Sequence, residues 1–148
     1  MTLIRKGREE DVDAVFTLVK ELAEYEKELH QVVNTPEKMR RDAFGEKPVF
    51  EFLVADEDGQ IVGTSIYYYR YSTWKGKRIY LEDIVVTEKF RGKGIGKKLF
   101  DQTIEHGRAN DCTGMMWQVL EWNKPAIGFY KKYNTFFDEE WLNCHLDF

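Results

Sequence analysis

The most restrictive stretch of this chain runs from Arg78 to Ala109. A β-rich run, Arg78 to Thr87, leads into Arg91-Gly-Lys-Gly-Ile-Gly96 and then into a segment with Ile95, Leu99, Phe100 and Ile104 at helical spacing. Gly114 to Leu120 reads as the next strand, so the helix is a crossover between two strands and part of the sheet is parallel. The glycines let the backbone turn sharply and leave no side chains between the amides and a ligand. Amides converging on a helix N-terminus attract an anion through hydrogen bonds and dipole together. Between Lys89 and Lys98 there are five basic residues and no acidic one, in a chain of net charge −4. A diphosphate is the natural occupant.

Two familiar phosphate loops are excluded. No Gly-Lys-Ser/Thr ending is present, so this is not a Walker A loop. The Rossmann fingerprint places its glycines after the first strand, with an acid about 20 residues on. Here the segment follows the fourth strand, and the residue 20 after Gly92 is Cys112.

The remaining pattern is consistent with one domain over residues 1–148. Thr2 to Lys6 reads as a first strand. Val12, Val15, Phe16, Val19, Leu22 and Ala23 mark an amphipathic helix from Glu9 to about Glu28. Pro36 suits the first turn of a short helix ending near Phe44. Val49 to Ala55 and Ile61 to Tyr71 form a hairpin about Asp56-Glu-Asp-Gly59. Asn123 caps a helix that has Pro125 in its first turn and ends near Tyr133, with Asn134 in the left-handed conformation. Trp141 to Phe148 is expected as a last strand. The order β-α-α-β-β-β-α-β-α-β predicts an α/β (α+β) fold: a mixed central sheet of six to seven strands, flanked by about four helices.

Composition narrows the function classes. The acidic balance argues against a nucleic-acid binder. No apolar run reaches the roughly 18 residues of a membrane span, and the first residues lack a signal peptide's apolar core. Cys112 and Cys144 have no metal-type spacing and no disulfide framework. They are read as reduced thiols of a cytoplasmic protein, and no metal site is expected.

The glycine segment resembles the acetyl-CoA loop of the GNAT acetyltransferase superfamily, Arg/Gln-x-x-Gly-x-Gly/Ala, at Arg91, Gly94 and Gly96. Tyr80-Leu-Glu-Asp83 and Glu121-Trp-Asn-Lys-Pro-Ala-Ile-Gly-Phe-Tyr130 are similar to the spermidine/spermine (diamine) N-acetyltransferase branch. Glu21-Leu-Ala-Glu-Tyr-Glu26, Phe44-Gly-Glu46 and Trp74-Lys-Gly76 extend the likeness over nearly the whole chain. The resemblance implies acetyl transfer from acetyl-CoA to a small-molecule amine, and a homodimer.

It also implies residue roles. The amides of Arg91, Gly92, Lys93, Gly94, Ile95, Gly96 and Lys97 would hold the pyrophosphate. The backbone of Ile84, Val85 and Val86 would pair with the pantetheine arm, which needs an open strand edge near Val86. Asn123, Pro125 and Ala126 would line the other side, and Tyr133 would also approach the cofactor. Lys132 serves equally well as a cofactor contact or as a solvated lysine. An alkylamine arrives protonated, with a pKa of about 10.4, and the leaving thiol has a pKa of about 8.5. Glu82 matches the carboxylate that helps take the amine proton through water, and Tyr130 matches the acid that protonates the sulfur. The backbone N–H near Val85 would polarise the acetyl carbonyl. Glu82 and Asp83, being adjacent on a strand, are expected on opposite faces.

For the acceptor, the resemblance implies Tyr25, Glu26, Trp74 and Glu82, with Met116, Trp117 and Gln118 along one wall. Tyr67-Tyr-Tyr69 reads as sheet packing. The polyamine enzymes carry Asp-Pro where this chain has Ser72-Thr73, so a diamine or a lysine-like amino acid such as thialysine competes with a long polyamine. A protein acetyltransferase and a non-catalytic acyl-CoA sensor are the alternatives.

Overall fold

The computed structural model describes all of residues 1–148. The chain divides into two compact units, Met1–Gln118 and Val119–Phe148.

The first unit is built on a five-stranded sheet in the order β1-β2-β3-β4-β5. These strands are β1 (Thr2–Lys6), β2 (Glu51–Glu57), β3 (Gln60–Ser72), β4 (Gly76–Val86) and β5 (Met115–Trp117). The first four pair antiparallel, and β4 pairs β5 in parallel. Helices α1 (Val12–Tyr25) and α2 (Pro36–Phe44) connect β1 to β2, and α3 (Ile95–Ala109) connects β4 to β5. In the second unit, α4 (Lys124–Tyr130) is the only helix.

Alternation along the strands makes two cores. Phe52, Val54 and Ile66 pack with Val12, Val15 and Phe16 of α1 and Met39 of α2. Leu53, Ala55, Val62, Tyr67 and Ile79 pack with Ile95 and Leu99 of α3 on the other face. A central sheet with helices on both faces follows from that two-sided burial. Tyr67, the first of the three tyrosines, is fully buried and is packing, as expected of the run.

Three expectations are corrected. The sheet has five strands rather than six or seven, because Trp141 to Phe148 forms no strand and β5 is three residues long. An alternating apolar segment becomes a strand only when another strand takes its backbone groups, and none does so here. Helix α4 stops at Tyr130 and continues as turns, with Lys132 N–H on the Phe129 carbonyl and Tyr133 N–H on that of Tyr130. Asn134 is not left-handed; positive φ among non-glycines occurs only at Lys27, Asp58 and Asp111. The Thr135 hydroxyl, donating to the Tyr130 carbonyl at 2.7 Å, closes that end instead.

Gly7 lies where the chain leaves β1, and its N–H donates to the Phe52 carbonyl at 2.8 Å. A Cβ there would overlap the Phe52 ring, which is buried. Gly7→Ala is expected to cost about 1–3 kcal/mol by overpacking, read as a lower urea midpoint with an unchanged slope.

Candidate active site

Strand β4 outlasts its parallel partner. The ladder joins Ile79, Tyr80 and Leu81 to Met115, Met116 and Trp117 and ends there, while β4 stays paired with β3 to Val86. β5 therefore does not reach Ile84, Val85 and Val86, which leaves that stretch of β4 without a parallel partner, as the resemblance requires. The glycine loop follows. Gly92 and Gly94 have φ of 77° and 81°, which L side chains rarely adopt, and a Cβ on either would meet nothing within 4 Å. Both glycines are demanded by backbone shape, and both border open space. Gly94 caps α3 without any side-chain acceptor, so the first-turn amides point outward unsatisfied. The Ile95 side chain is core, which leaves its amide alone for a ligand. Of the loop cations, Lys97 pairs with Asp101 at 2.6 Å and Lys93 lies 4.9 Å from the Phe90 ring centre.

Arg91 takes a different part from its neighbours. Its Nε donates to the Val86 carbonyl at 2.8 Å, and Nη2 to Glu21 at 3.3 Å. The same Glu21 carboxylate accepts from the Thr87 hydroxyl at 2.9 Å and the Glu88 N–H at 3.0 Å. One acid on α1 thus fixes the chain from Thr87 to Arg91, and the guanidinium lies 5.7 Å from the Tyr25 ring centre. The side chain of Arg91 is a brace, and its N–H donates to the Glu88 carbonyl at 3.2 Å, so the expected pyrophosphate amides are cut back to those of Gly92 to Lys97. Sequence reading did not find Glu21 in this role. An acid on a helix is ordinarily solvated, and its partners are 66 or more residues away.

The carboxylates lie where the strand is irregular. Tyr67 pairs with Leu81 but Ile66 pairs with Asp83, so Glu82 is an extra residue in β4, a β-bulge. The bulge overturns the expectation that Glu82 and Asp83 face opposite ways. Asp83 shares a face with its partner Ile66, the α1 face. Glu82 accepts from the Tyr68 hydroxyl, and Tyr68 stacks on Tyr80 with centroids 5.2 Å apart. These two tyrosines lie on that same α1 face, since each is one residue from the α3-side positions Tyr67 and Ile79. Burial, then the neighbouring charges of Glu82 and Glu26, push the Asp83 carboxyl up to about 7. Burial and Glu28 raise Glu26 at the end of α1. Burial and Glu82 hold the Tyr68 phenol up at about 12.

The other acceptor candidates separate. Met116 is opposite Tyr80 and shares its face. Trp117 is opposite Leu81, and its ring packs edge-on against Phe100 of α3, 5.3 Å between centroids. It belongs to the α3 side and leaves the expected wall to Met116; Gln118 follows the end of β5. Trp74 is 84% exposed at the tip of the β3–β4 hairpin. Six residues of β4 separate Gly76 from Glu82, roughly 20 Å of strand, so one chain does not bring Trp74 to Glu82. Ser72 closes that tip by accepting the N–H groups of Trp74 and Lys75.

In the second unit Asn123 caps α4, accepting from the Ala126 N–H at 3.3 Å, and Pro125 occupies the first turn as expected. Tyr130, the last residue of α4, is 6% exposed. Phe129 contacts both Tyr130 and Tyr133.

A strand that loses its parallel neighbour beside a glycine loop at a helix N-terminus is the arrangement that the resemblance to acetyltransferases requires, and the comparisons agree. The acetyltransferase (GNAT) family profile matches residues 13–136, and the chain belongs to that family. It is an acetyltransferase, of a family that generally uses acetyl-CoA. The thialysine N-epsilon-acetyltransferase of Mus musculus is 41% identical over 138 residues, 88% of this chain and 81% of that protein. The human spermidine/spermine N(1)-acetyltransferase-like protein 1 is 34% identical over 134 residues, 86% of this chain and 19% of that protein. An aminoglycoside acetyltransferase from an uncultured soil metagenomic sample shares the fold, with a TM-score of 0.80 at 22% identity and coverage of 99% of each chain.

The raised Asp83 carboxyl has a consequence for stability. Its folded value lies above the ordinary 3.8, so the folded state holds a proton that the unfolded chain has released. Stability therefore falls as pH rises from about 4 to about 7 and stays lower above that window. Asp83→Asn removes this loss. The variant's Tm is expected to exceed that of the unaltered protein near pH 8, with the difference shrinking near pH 4. Thermal unfolding across that range checks it, and a difference independent of pH would count against the buried charge.

Proposed function

We propose that this chain moves the acetyl group of acetyl-CoA directly onto a primary amine of a lysine-like amino acid, a diamine or a polyamine. The observation that carries the acceptor half is the gathering of Glu82, Asp83 and Glu26 on the α1 face of β4. Such a face attracts a cationic amine and lowers its own electrostatic cost when one arrives. The donor half rests on the amides of residues 92–97 at the start of α3, the stretch Ile84–Val86 that β5 does not reach, and the open space at Gly92 and Gly94. The bound donor supplies an activated thioester.

The chain's residues then divide the work. The loop amides hold the diphosphate without needing a cation from Arg91. The backbone of Ile84 to Val86 takes the pantetheine arm as an added strand, and the N–H near Val85 polarises the acetyl carbonyl. By the resemblance, Asn123, Pro125, Ala126 and Tyr133 are further cofactor contacts. Glu82 takes the amine proton through water, and Tyr130 returns a proton to the departing sulfur. The likeness to thialysine and spermidine/spermine-like acetyltransferases supports this range of acceptors.

A homodimer belongs to the same reading. Trp141, Leu142, Leu146 and Phe148 are all strongly exposed in a segment that forms no strand within one chain. Light scattering should give twice the chain mass; a monomer at all concentrations would refute this.

The test of the activity follows acetyl-CoA consumption over diamines, polyamines, lysine analogues and peptides. Turnover is expected with small amines. Tyr130→Phe is expected to lose about 10²-fold or more in kcat while the Kd for acetyl-CoA stays within about two-fold. Turnover of peptides alone, or of nothing, would refute the small-amine reading. Full kcat in Tyr130→Phe would remove that residue from the chemistry.

A further inference from the structure

The α1 face that carries the carboxylates does not stay acidic along its length. Alternation from Tyr68 brings Arg70 onto the same face, and alternation from Tyr80 brings Arg78 there. Arg70 and Arg78 are direct partners across the β3–β4 ladder. Like charges opposite each other on a sheet repel. Neither arginine pairs with a carboxylate: Arg70 touches the Met116 sulfur, and Arg78 reaches the Thr113 hydroxyl at 3.5 Å. Two opposed cations remain without counter-charge in an acidic chain.

Order along the face gives this meaning. Glu82, Asp83 and Glu26 form one end, the stacked Tyr68 and Tyr80 the middle, and the arginines the other end. Arg70 is close enough to draw down the pKa of both tyrosines against the carboxylates that raise them. Four residues of β4 separate Arg78 from Glu82, about 13 Å of strand, which the long arginine side chain shortens toward the length of an extended lysine. Met116, on the same face, lines the path beside Arg70.

We infer that Arg70, with Arg78 behind it, binds the carboxylate of a zwitterionic acceptor whose side-chain amine lies at Glu82, and so selects a lysine-like amino acid over a polyamine. This rests on the amine-acceptor reading above and narrows it. A lysine-like molecule places an ammonium at its side-chain end and, beside its α-ammonium, a carboxylate at the other, so the arginines meet an anionic group. A polyamine places a cation at both ends, and its far ammonium meets two arginines. Arginine suits the task because its planar fork matches a carboxylate with two parallel hydrogen bonds.

Lysine and 1,5-diaminopentane, which differ only in the carboxylate, test this directly. The unaltered enzyme is expected to favour lysine over the diamine by roughly ten-fold or more in kcat/KM. Arg70→Gln is expected to abolish that preference through a higher KM for lysine, with kcat retained and the diamine's kcat/KM unchanged or increased. Arg70→Lys, which keeps the charge without the fork, should restore part of the preference. A role in folding alone would lower both substrates together and would overturn the assignment, as would a diamine turned over as well as lysine by the unaltered enzyme. No turnover of any amine would remove the acceptor reading itself, a result distinct from loss of the carboxylate preference alone.

Discussion

The extra residue at Glu82 is the constraint around which the site is arranged. A regular ladder would have sent Glu82 and Asp83 to opposite faces and left each with one charge. The bulge places both beside Tyr68 and Tyr80 and brings Asp83 under the influence of Glu26 from α1. The same stretch of β4 has already lost β5, since their ladder ends at Leu81. Irregular pairing on one edge and absent pairing on the other coincide within a few residues. A sheet tolerates this where something else is meant to use the backbone groups.

The donor loop depends on a second contact, from α1. Glu21 accepts from Thr87, Glu88 and Arg91, so the chain leaving β4 is tied down before it reaches the glycines. Order set in advance lowers the entropic cost of binding a flexible cofactor. The brace also explains how an arginine can stand in a phosphate-type loop without presenting its guanidinium to a phosphate. Its charge is matched by Glu21 and its Nε by the Val86 carbonyl.

Much of this was legible in the sequence, and the failures have physical causes. The helix from Pro36 to Phe44 and the cap at Asn123 were readable because Pro and Asn act locally. The open edge near Val86 followed from the family's way of holding its cofactor. The bulge was not readable: no glycine marks it, and period-two alternation assumes that it is absent. Trp117 was assigned to the acceptor wall because its neighbours belong there, whereas strand alternation turns it onto Phe100. The last strand failed for a different reason, since apolar alternation records a capacity to pair and says nothing of whether an edge is available. Glu21 and Arg70 left no local signal; only the register shows what each one meets.

The two halves of the site are written in different materials. What faces the donor is main chain: amides released by two glycines and a strand edge without a neighbour. What faces the acceptor is side chain: carboxylates, stacked phenols and a pair of arginines. Main-chain groups survive almost any substitution that leaves the backbone path intact, whereas a side-chain surface changes with a single codon. Such a protein can be redirected to a new nucleophile by exchanging a few surface residues, while its hold on the activated acyl carrier passes through unaltered.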